Sequence, residues 1–93
     1  MRIVWTETAI ANLTEIRQYI ERDQPAAARR VSQHILSSVK RLARHSHLGR
    51  PGREADTREL IVAGTSFIVS YKIHHHRLAI LAVLHASQDR PGG

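Results

Sequence analysis

One run of seven apolar residues, 78–84, constrains the fold of this chain more than any other segment. It is too short for a membrane-spanning helix, which needs about 18 apolar residues, but it has the length of a β-strand. Successive strand residues point to opposite faces, so a strand over 77–84 would be apolar on both. Its faces would carry Leu78, Ile80, Ala82 and Leu84 on one side and Ala79, Leu81 and Val83 on the other. Such a strand belongs in the interior of a sheet, or in a sheet whose second face another molecule covers.

Two further strands are predicted directly before this one, over 57–62 and 66–73. Segments of three residues, 63–65 and 74–76, separate the strands, and each has the length of a hairpin turn. The three strands are therefore expected to form an antiparallel meander. The apolar residues that would share one face of the middle strand are Phe67, Val69, Tyr71 and Ile73.

A short strand and two helices are predicted ahead of the meander. The strand covers 2–5. Apolar residues then recur at spacings of three and four over 7–22 and over 26–44, which is typical of helices with one buried face. Pro25 lies between the helices and suits a first helical turn, and so short a link makes them an antiparallel hairpin. The order β-α-α-β-β-β predicts an α+β fold, with a helical hairpin packed on a small antiparallel sheet. The buried stripes are Ala9, Leu13, Ile16 and Ile20, then Ala28, Val31, Ile35, Val39 and Leu42.

Length and residue content exclude several classes of protein. A chain of 93 residues makes a single domain, 1–93. It has no cysteine, which excludes disulfides and thiolate zinc sites. The adjacent histidines at 74–76 would point in different directions without a carboxylate partner, so we predict no metal and no cofactor. The first residues lack the apolar core of a signal peptide, and no segment is long enough to cross a membrane, so we expect a cytoplasmic protein.

Positive charge is concentrated in one part of the chain. The net charge is +6, and residues 24–53 contain seven Lys and Arg residues but no Asp or Glu. So long a segment without a compensating carboxylate predicts a surface for an acidic partner, either a nucleic acid or an acidic protein. A solvated helix face is the simpler alternative. The seven residues are Arg29, Arg30, Lys40, Arg41, Arg44, Arg50 and Arg53.

Several local motifs, taken in order, resemble those of the ParE and RelE toxins of type II toxin–antitoxin systems, and most closely those of ParE. The motifs are Trp5 closing the first strand, Ala26-Ala27-Ala28 after Pro25, Gly49-Arg50-Pro51-Gly52-Arg53, Thr57-Arg58-Glu59-Leu60, Phe67-Ile68-Val69-Ser70-Tyr71, and Val83-Leu84-His85-Ala86-Ser87-Gln88-Asp89-Arg90-Pro91. Together they cover nearly the whole chain. The resemblance implies the fold predicted above, a role in plasmid stabilisation, and a partner antitoxin that is acidic and ParD-like.

The same resemblance implies one of two targets. ParE-like toxins poison DNA gyrase, whereas RelE-like toxins cut mRNA on the ribosome with basic residues and a terminal His or Tyr. RelE-like sequences usually carry an Arg after the aromatic residue that leads the central strand, but here Ile68 follows Phe67. An aliphatic side chain cannot neutralise the charge that develops on a phosphate. We therefore expect a gyrase inhibitor rather than an mRNA endonuclease. A non-toxic nucleic-acid-binding adaptor is a third hypothesis.

Two sets of candidate site residues follow. For a nuclease, the candidates are Arg58, which could bind phosphate, and His85, which could exchange a proton, if both point to the open face of the sheet. Each also has a structural interpretation, Arg58 as the salt-bridge partner of a nearby carboxylate and His85 as a strand-end residue bonded to backbone. The nearby carboxylates are Glu54, Asp56 and Glu59. Target or antitoxin binding is predicted for Arg41, Arg44, Arg50, Arg53, Leu81 and Val83.

Overall fold

The computed structural model describes residues 1–86, which form two helices packed on one face of a five-stranded sheet. The elements in chain order are β1 (Arg2–Trp5), α1 (Glu7–Glu21), α2 (Pro25–Leu42), β2 (Arg50–Pro51), β3 (Thr57–Ile61), β4 (Phe67–His74) and β5 (Arg77–His85). The predicted order is confirmed with one addition, because two residues of the predicted loop after α2 form β2. Residues 87–93, which include the end of the last motif, lie outside the described residues. Neither helix within 1–86 is long and apolar enough to cross a membrane.

Local sequence signals fix where both helices begin. The side-chain oxygen of Thr6 accepts a hydrogen bond from the Ala9 N–H at 3.2 Å, which satisfies one of the free N–H groups in the first turn of α1. Pro25 is the first residue of α2, where its fixed φ is already helical. The predicted stripe of α2 packs on the sheet, and its fully or nearly buried residues are Ala28, Ile35, Val39 and Leu42.

The strands lie in the order β1-β5-β4-β3-β2. The last three strands of the chain form the predicted antiparallel meander. β1 instead runs parallel to β5, with Ile3 opposite Leu78 and Trp5 opposite Ile80, so the sheet is mixed. This follows from the connection, because β1 reaches the sheet through both helices and a parallel pair requires such a crossover. β5 thus has neighbours on both sides where it pairs with β1, as its doubly apolar pattern predicts.

A bulge in β5 changes which of its residues face the helices. Ile80 lies opposite Tyr71, and Ala82 lies opposite the preceding residue of β4, which leaves Leu81 as an extra residue. The side chain of Val83 therefore joins the helix-facing core and is only 3% exposed. The strict alternation predicted for β5 is wrong beyond Ile80, because one inserted residue exchanges the faces of all that follow.

Groups from Thr6 and from α1 form hydrogen bonds with the edge of β5 where β1 ends. The Thr6 N–H and hydroxyl both donate to Ile80 O, at 3.1 and 2.7 Å. Further along, Asn12 Oδ1 accepts a hydrogen bond from the Val83 N–H at 3.0 Å. These contacts satisfy backbone groups that an uncovered strand edge would leave available for another strand.

The hairpin between β4 and β5 is tighter than predicted. Its two loop residues are His75 and His76, with φ of 48° and 61°. Positive φ at both positions defines a type I′ turn, whose twist matches that of the flanking strands. The histidines therefore have a structural role as turn residues.

Candidate functional site

The loop between α2 and β3 is anchored to the sheet by the buried hydroxyl of Tyr71. This hydroxyl donates to Ser46 O at 2.8 Å and accepts from the Gly49 N–H at 2.9 Å. Arg58, directly opposite Tyr71 on β3, donates from Nη1 to Gly49 O at 2.7 Å. A Cβ at position 49 would lie 2.8 Å from the Tyr71 ring, so only glycine fits without displacement. The loop that leads into Arg50 therefore has a fixed shape.

Glu59 organises the two arginines that follow this anchor. Its Oε1 pairs with Arg50 Nη2 at 3.3 Å, and its Oε2 accepts a hydrogen bond from the Arg53 N–H at 3.4 Å. The Arg50 side chain is 42% exposed, so the ion pair contributes at most about 1 kcal/mol to stability. Its main effect is to orient the guanidinium.

A hollow of about 290 Å³ brings two of the predicted arginines together. We call it the basic hollow, and it is lined by Arg41, Leu48, Arg50, Glu59, Leu60 and Ile61. Leu48 and Ile61 are 43% and 56% exposed. Arginine beside exposed aliphatic groups is a composition suited to a protein-binding surface. Arg44, just beyond α2, is also exposed but does not line this hollow.

A second hollow, of about 250 Å³, lies on the face of the sheet away from the helices. We call it the sheet hollow. Arg53 and Leu81 both line it, but Glu54 and Glu59 line it as well. Two carboxylates beside one arginine make this surface unsuited to a phosphate. Val83, predicted to bind a partner together with Leu81, instead lies in the core because of the bulge. The other lining residues are Thr57, Ser70, Ala82 and Leu84.

Arg58 and His85 are not brought together. Arg58 lies opposite Tyr71, and His85 lies opposite Phe67, so both are on the helix-facing side of the sheet. The prediction that they point to the open face is wrong, because the alternation of β3 places Arg58 with the core residue Leu60. Tyr71 and Phe67 are four residues apart on β4, which separates Arg58 from His85 by about 13 Å along the strands alone.

The contacts of these two residues explain their positions. The predicted salt bridge of Arg58 is replaced by its hydrogen bond to Gly49 O. Within residues 1–86 the ion pair between Arg50 and Glu59 is the only one shorter than 4.0 Å. The ring of His85 packs edge-on against Phe67, with centroids 5.5 Å apart. Arg58 therefore stabilises the loop between α2 and β3, and His85 contributes to aromatic packing.

Sequence reasoning missed two residues that shape this region, Tyr71 and Asn12. A signal existed for Tyr71, because a phenol within an otherwise aliphatic, core-facing stripe requires a hydrogen-bond partner. No comparable signal existed for Asn12. A polar residue on a predicted helix does not reveal which strand edge it will meet.

Comparisons with known proteins identify the family. Residues 3–90 match the family model described as the ParE toxin of the type II toxin–antitoxin system parDE. The chain belongs to the ParE toxin family. It is 46% identical to the protein Y4kP of Sinorhizobium fredii over 97% of this chain and 93% of that protein. It is also 32% identical to toxin RelE2 of Caulobacter vibrioides over 94% of this chain and 97% of that one.

The fold comparison agrees with this membership. A chain from the chromosomal ParDE toxin–antitoxin system of P. aeruginosa superposes with a TM-score of 0.83 at 25% identity, covering 91% of this chain and 95% of that chain. This ParE-family chain is therefore a toxin of a type II toxin–antitoxin system, and the likeness supports an antitoxin as its partner.

Proposed function

We propose that this ParE-family toxin binds DNA gyrase and stalls it on DNA, acting in the cytoplasm until an acidic antitoxin neutralises it. The similar proteins carry both the ParE and the RelE names, so the choice of target rests on the chemistry of the site. The observation that carries the proposal is the sheet hollow, where Glu54 and Glu59 lie beside Arg53.

An RNA-cleaving site on this face would need positive groups that converge on one phosphate. Loss of a single preorganised charge contact lowers such a rate by about 10²–10³. Here Glu54 and Glu59 would repel the phosphate, and the guanidinium of Arg50 is already paired. Ile68, at the position where RelE-like sequences carry an Arg, is aliphatic and 2% exposed. The sheet hollow therefore disfavours phosphoryl transfer.

The geometry of the nuclease candidates points the same way. Groups that act on one phosphate must lie within hydrogen-bonding reach of it, at about 3 Å. Arg58 and His85 face the helices and are separated by about 13 Å along the strands alone. They cannot act as one catalytic pair in this arrangement.

The basic hollow supports a protein target. A gyrase inhibitor requires a surface that binds the enzyme, and here Arg41 and Arg50 line one hollow with the exposed Leu48 and Ile61. Arginine is enriched among the residues that dominate binding energy at protein interfaces. The anchored loop presents Arg50 in one orientation, which reduces the entropy lost on binding.

The charge of α2 supports an acidic antitoxin. The four Lys and Arg residues of α2 and Arg44 just beyond it are exposed, and the described residues place no carboxylate within 4.0 Å of them. An acidic partner would be steered toward this surface and would cover the basic hollow at its end. The exposed residues are Arg29, Arg30, Lys40, Arg41 and Arg44.

Induction of the toxin in growing cells separates the two targets. We expect chromosomal breaks and no new mRNA ends in primer extension. The double variant Arg41→Glu/Arg50→Glu should abolish the breaks, whereas Arg17→Glu, an exposed change on α1, should not. Discrete codon-positioned mRNA ends that vanish in His85→Ala would overturn the gyrase proposal in favour of a RelE-like endonuclease.

A further inference from the structure

The outward face of α2 carries two rows of positive side chains. A helix turns by about 100° per residue, so Arg29 and Lys40 lie within about 20° of each other around its axis. We call this pair the first row. The second row, Arg30 and Arg41, has the same spacing and lies about 100° further around the helix. All four side chains are exposed, and about 16 Å of helix separates the two members of each row.

The arc of α2 between the two rows is almost entirely polar. Gln33 and Ser37 are exposed there, and the only apolar group beside them is the methyl of Ala26. Leu36, which is exposed as well, lies outside the arc. Protein interfaces have an apolar centre from which charged residues are depleted, whereas protein–DNA interfaces are more polar and much more positively charged. The composition of this arc therefore fits a nucleic acid better than a protein.

The structure leaves the charge of both rows without a counter-ion. α2 contains no Asp or Glu, and the ion pair between Arg50 and Glu59 is the only one shorter than 4.0 Å within residues 1–86. Uncompensated charge of this kind attracts polyanions and raises the rate at which they associate. α2 is a helix of 18 residues and is about 27 Å long. An elongated polyanion can therefore contact both members of each row at once.

We propose that α2 lies in the major groove of duplex DNA, with one row against the phosphates of each strand. The major groove is about 12 Å wide and admits an α-helix. Its two borders are the phosphate backbones, which Lys and Arg contact to position a protein on the duplex. Gln33 and Ser37 would then face the base edges, where an amide side chain can form two hydrogen bonds with adenine. The major groove of duplex RNA is too narrow for this placement.

DNA binding by α2 goes beyond the proposed contact with gyrase. That contact rests on the basic hollow, whose arginines are Arg41 and Arg50. Arg29, Arg30 and Lys40 do not line the basic hollow, so their variants leave it unchanged. A failure of DNA binding can therefore be distinguished from a failure of gyrase inhibition.

Neutralisation of the first row tests the phosphate contacts. Binding of the full-length toxin to a fluorescent DNA duplex of about 20 base pairs is measured by anisotropy at several salt concentrations. Arg29→Gln/Lys40→Gln should lower the slope of log K against log salt by about 1.8 and weaken binding at about 0.1 M salt by about 60-fold, or about eightfold per contact. The control Arg17→Gln/Arg77→Gln removes the same charge from exposed positions on α1 and β5 and should change neither. Glutamine forms helices about as well as Arg and Lys, so circular dichroism should show every variant folded.

The second row tests whether both strands of the duplex are contacted. Arg30→Gln should lower the salt slope by about 0.9, and an unchanged slope would overturn the placement in the groove. An RNA duplex of the same sequence and poly-glutamate, compared with DNA at equal charge, should displace the labelled DNA only at much higher concentrations. Displacement by either at the concentration that unlabelled DNA requires would overturn the proposal. Equal losses from the first-row and control variants, or no binding of the DNA duplex, would overturn it as well.

Discussion

Removing a single oxygen atom at Tyr71 should destabilise the toxin and loosen the loop between α2 and β3. The hydroxyl lies in the core-facing row of β4, where it donates to Ser46 O and accepts from the Gly49 N–H. Tyr71→Phe keeps the ring, which is fully buried, and deletes both hydrogen bonds. The Gly49 N–H is left without a partner in a buried position.

The magnitude follows from the burial of the two orphaned groups. A buried donor left without its partner costs about 1–3 kcal/mol, and the partly buried carbonyl of Ser46 adds a smaller amount because water can reach it. We expect a total loss of about 2–3 kcal/mol in the free energy of unfolding. In a domain of this size the midpoint of thermal unfolding should fall by about 10 °C or more.

Tyr19 provides the matched control, because it is 72% exposed and is the only other tyrosine. Thermal and urea unfolding of the isolated chain, followed by circular dichroism, should show a large loss for Tyr71→Phe and a change within about 0.5 kcal/mol for Tyr19→Phe. A Tyr71→Phe variant as stable as its Tyr19→Phe counterpart would refute the anchoring role of the hydroxyl.

Two further predictions concern the edge of β5 and the charge of α2. Asn12→Ala should lower the free energy of unfolding by about 1 kcal/mol, because it removes the acceptor for a strand N–H. Gln18→Ala, on the exposed face of α1, should change the free energy of unfolding by no more than about 0.5 kcal/mol. Equal losses in urea unfolding would contradict this. Arg41→Glu should slow association with the antitoxin in stopped-flow measurements more than Arg77→Glu does, and the difference should shrink as salt rises. Equal slowing would show that only total charge matters.

Much of the fold could be predicted from the sequence because its patterns are strongly periodic. The buried stripes of α1 and α2 and the alternation of β4 each specify one face, and each is found on that face. The bulge at Leu81 could not be predicted, since a strand that is apolar at every position has no alternation of apolar and polar residues for an inserted residue to shift. The parallel pairing of β1 was also not predicted, because a strand of four residues does not indicate which strand it will pair with.

The candidate site was less predictable because it depends on contacts between distant elements. The concentration of arginines at 24–53 was visible in the sequence, but the role of Glu59 in orienting Arg50 depends on the register of β2 and β3. Arg58 was singled out for its charge, and the structure shows that its first partner is a backbone carbonyl. The predicted and observed roles of Arg58 differ because its side chain lies on the face of β3 that packs on the helices.

Purified gyrase provides the most direct test of the proposed target. Toxin added to gyrase, relaxed plasmid and ATP should inhibit supercoiling and accumulate cleaved plasmid once the enzyme is denatured. Addition of the antitoxin before the toxin should prevent both effects, and Arg41→Glu/Arg50→Glu should show neither. Undiminished supercoiling and no cleaved plasmid at a large molar excess of folded toxin would contradict the account.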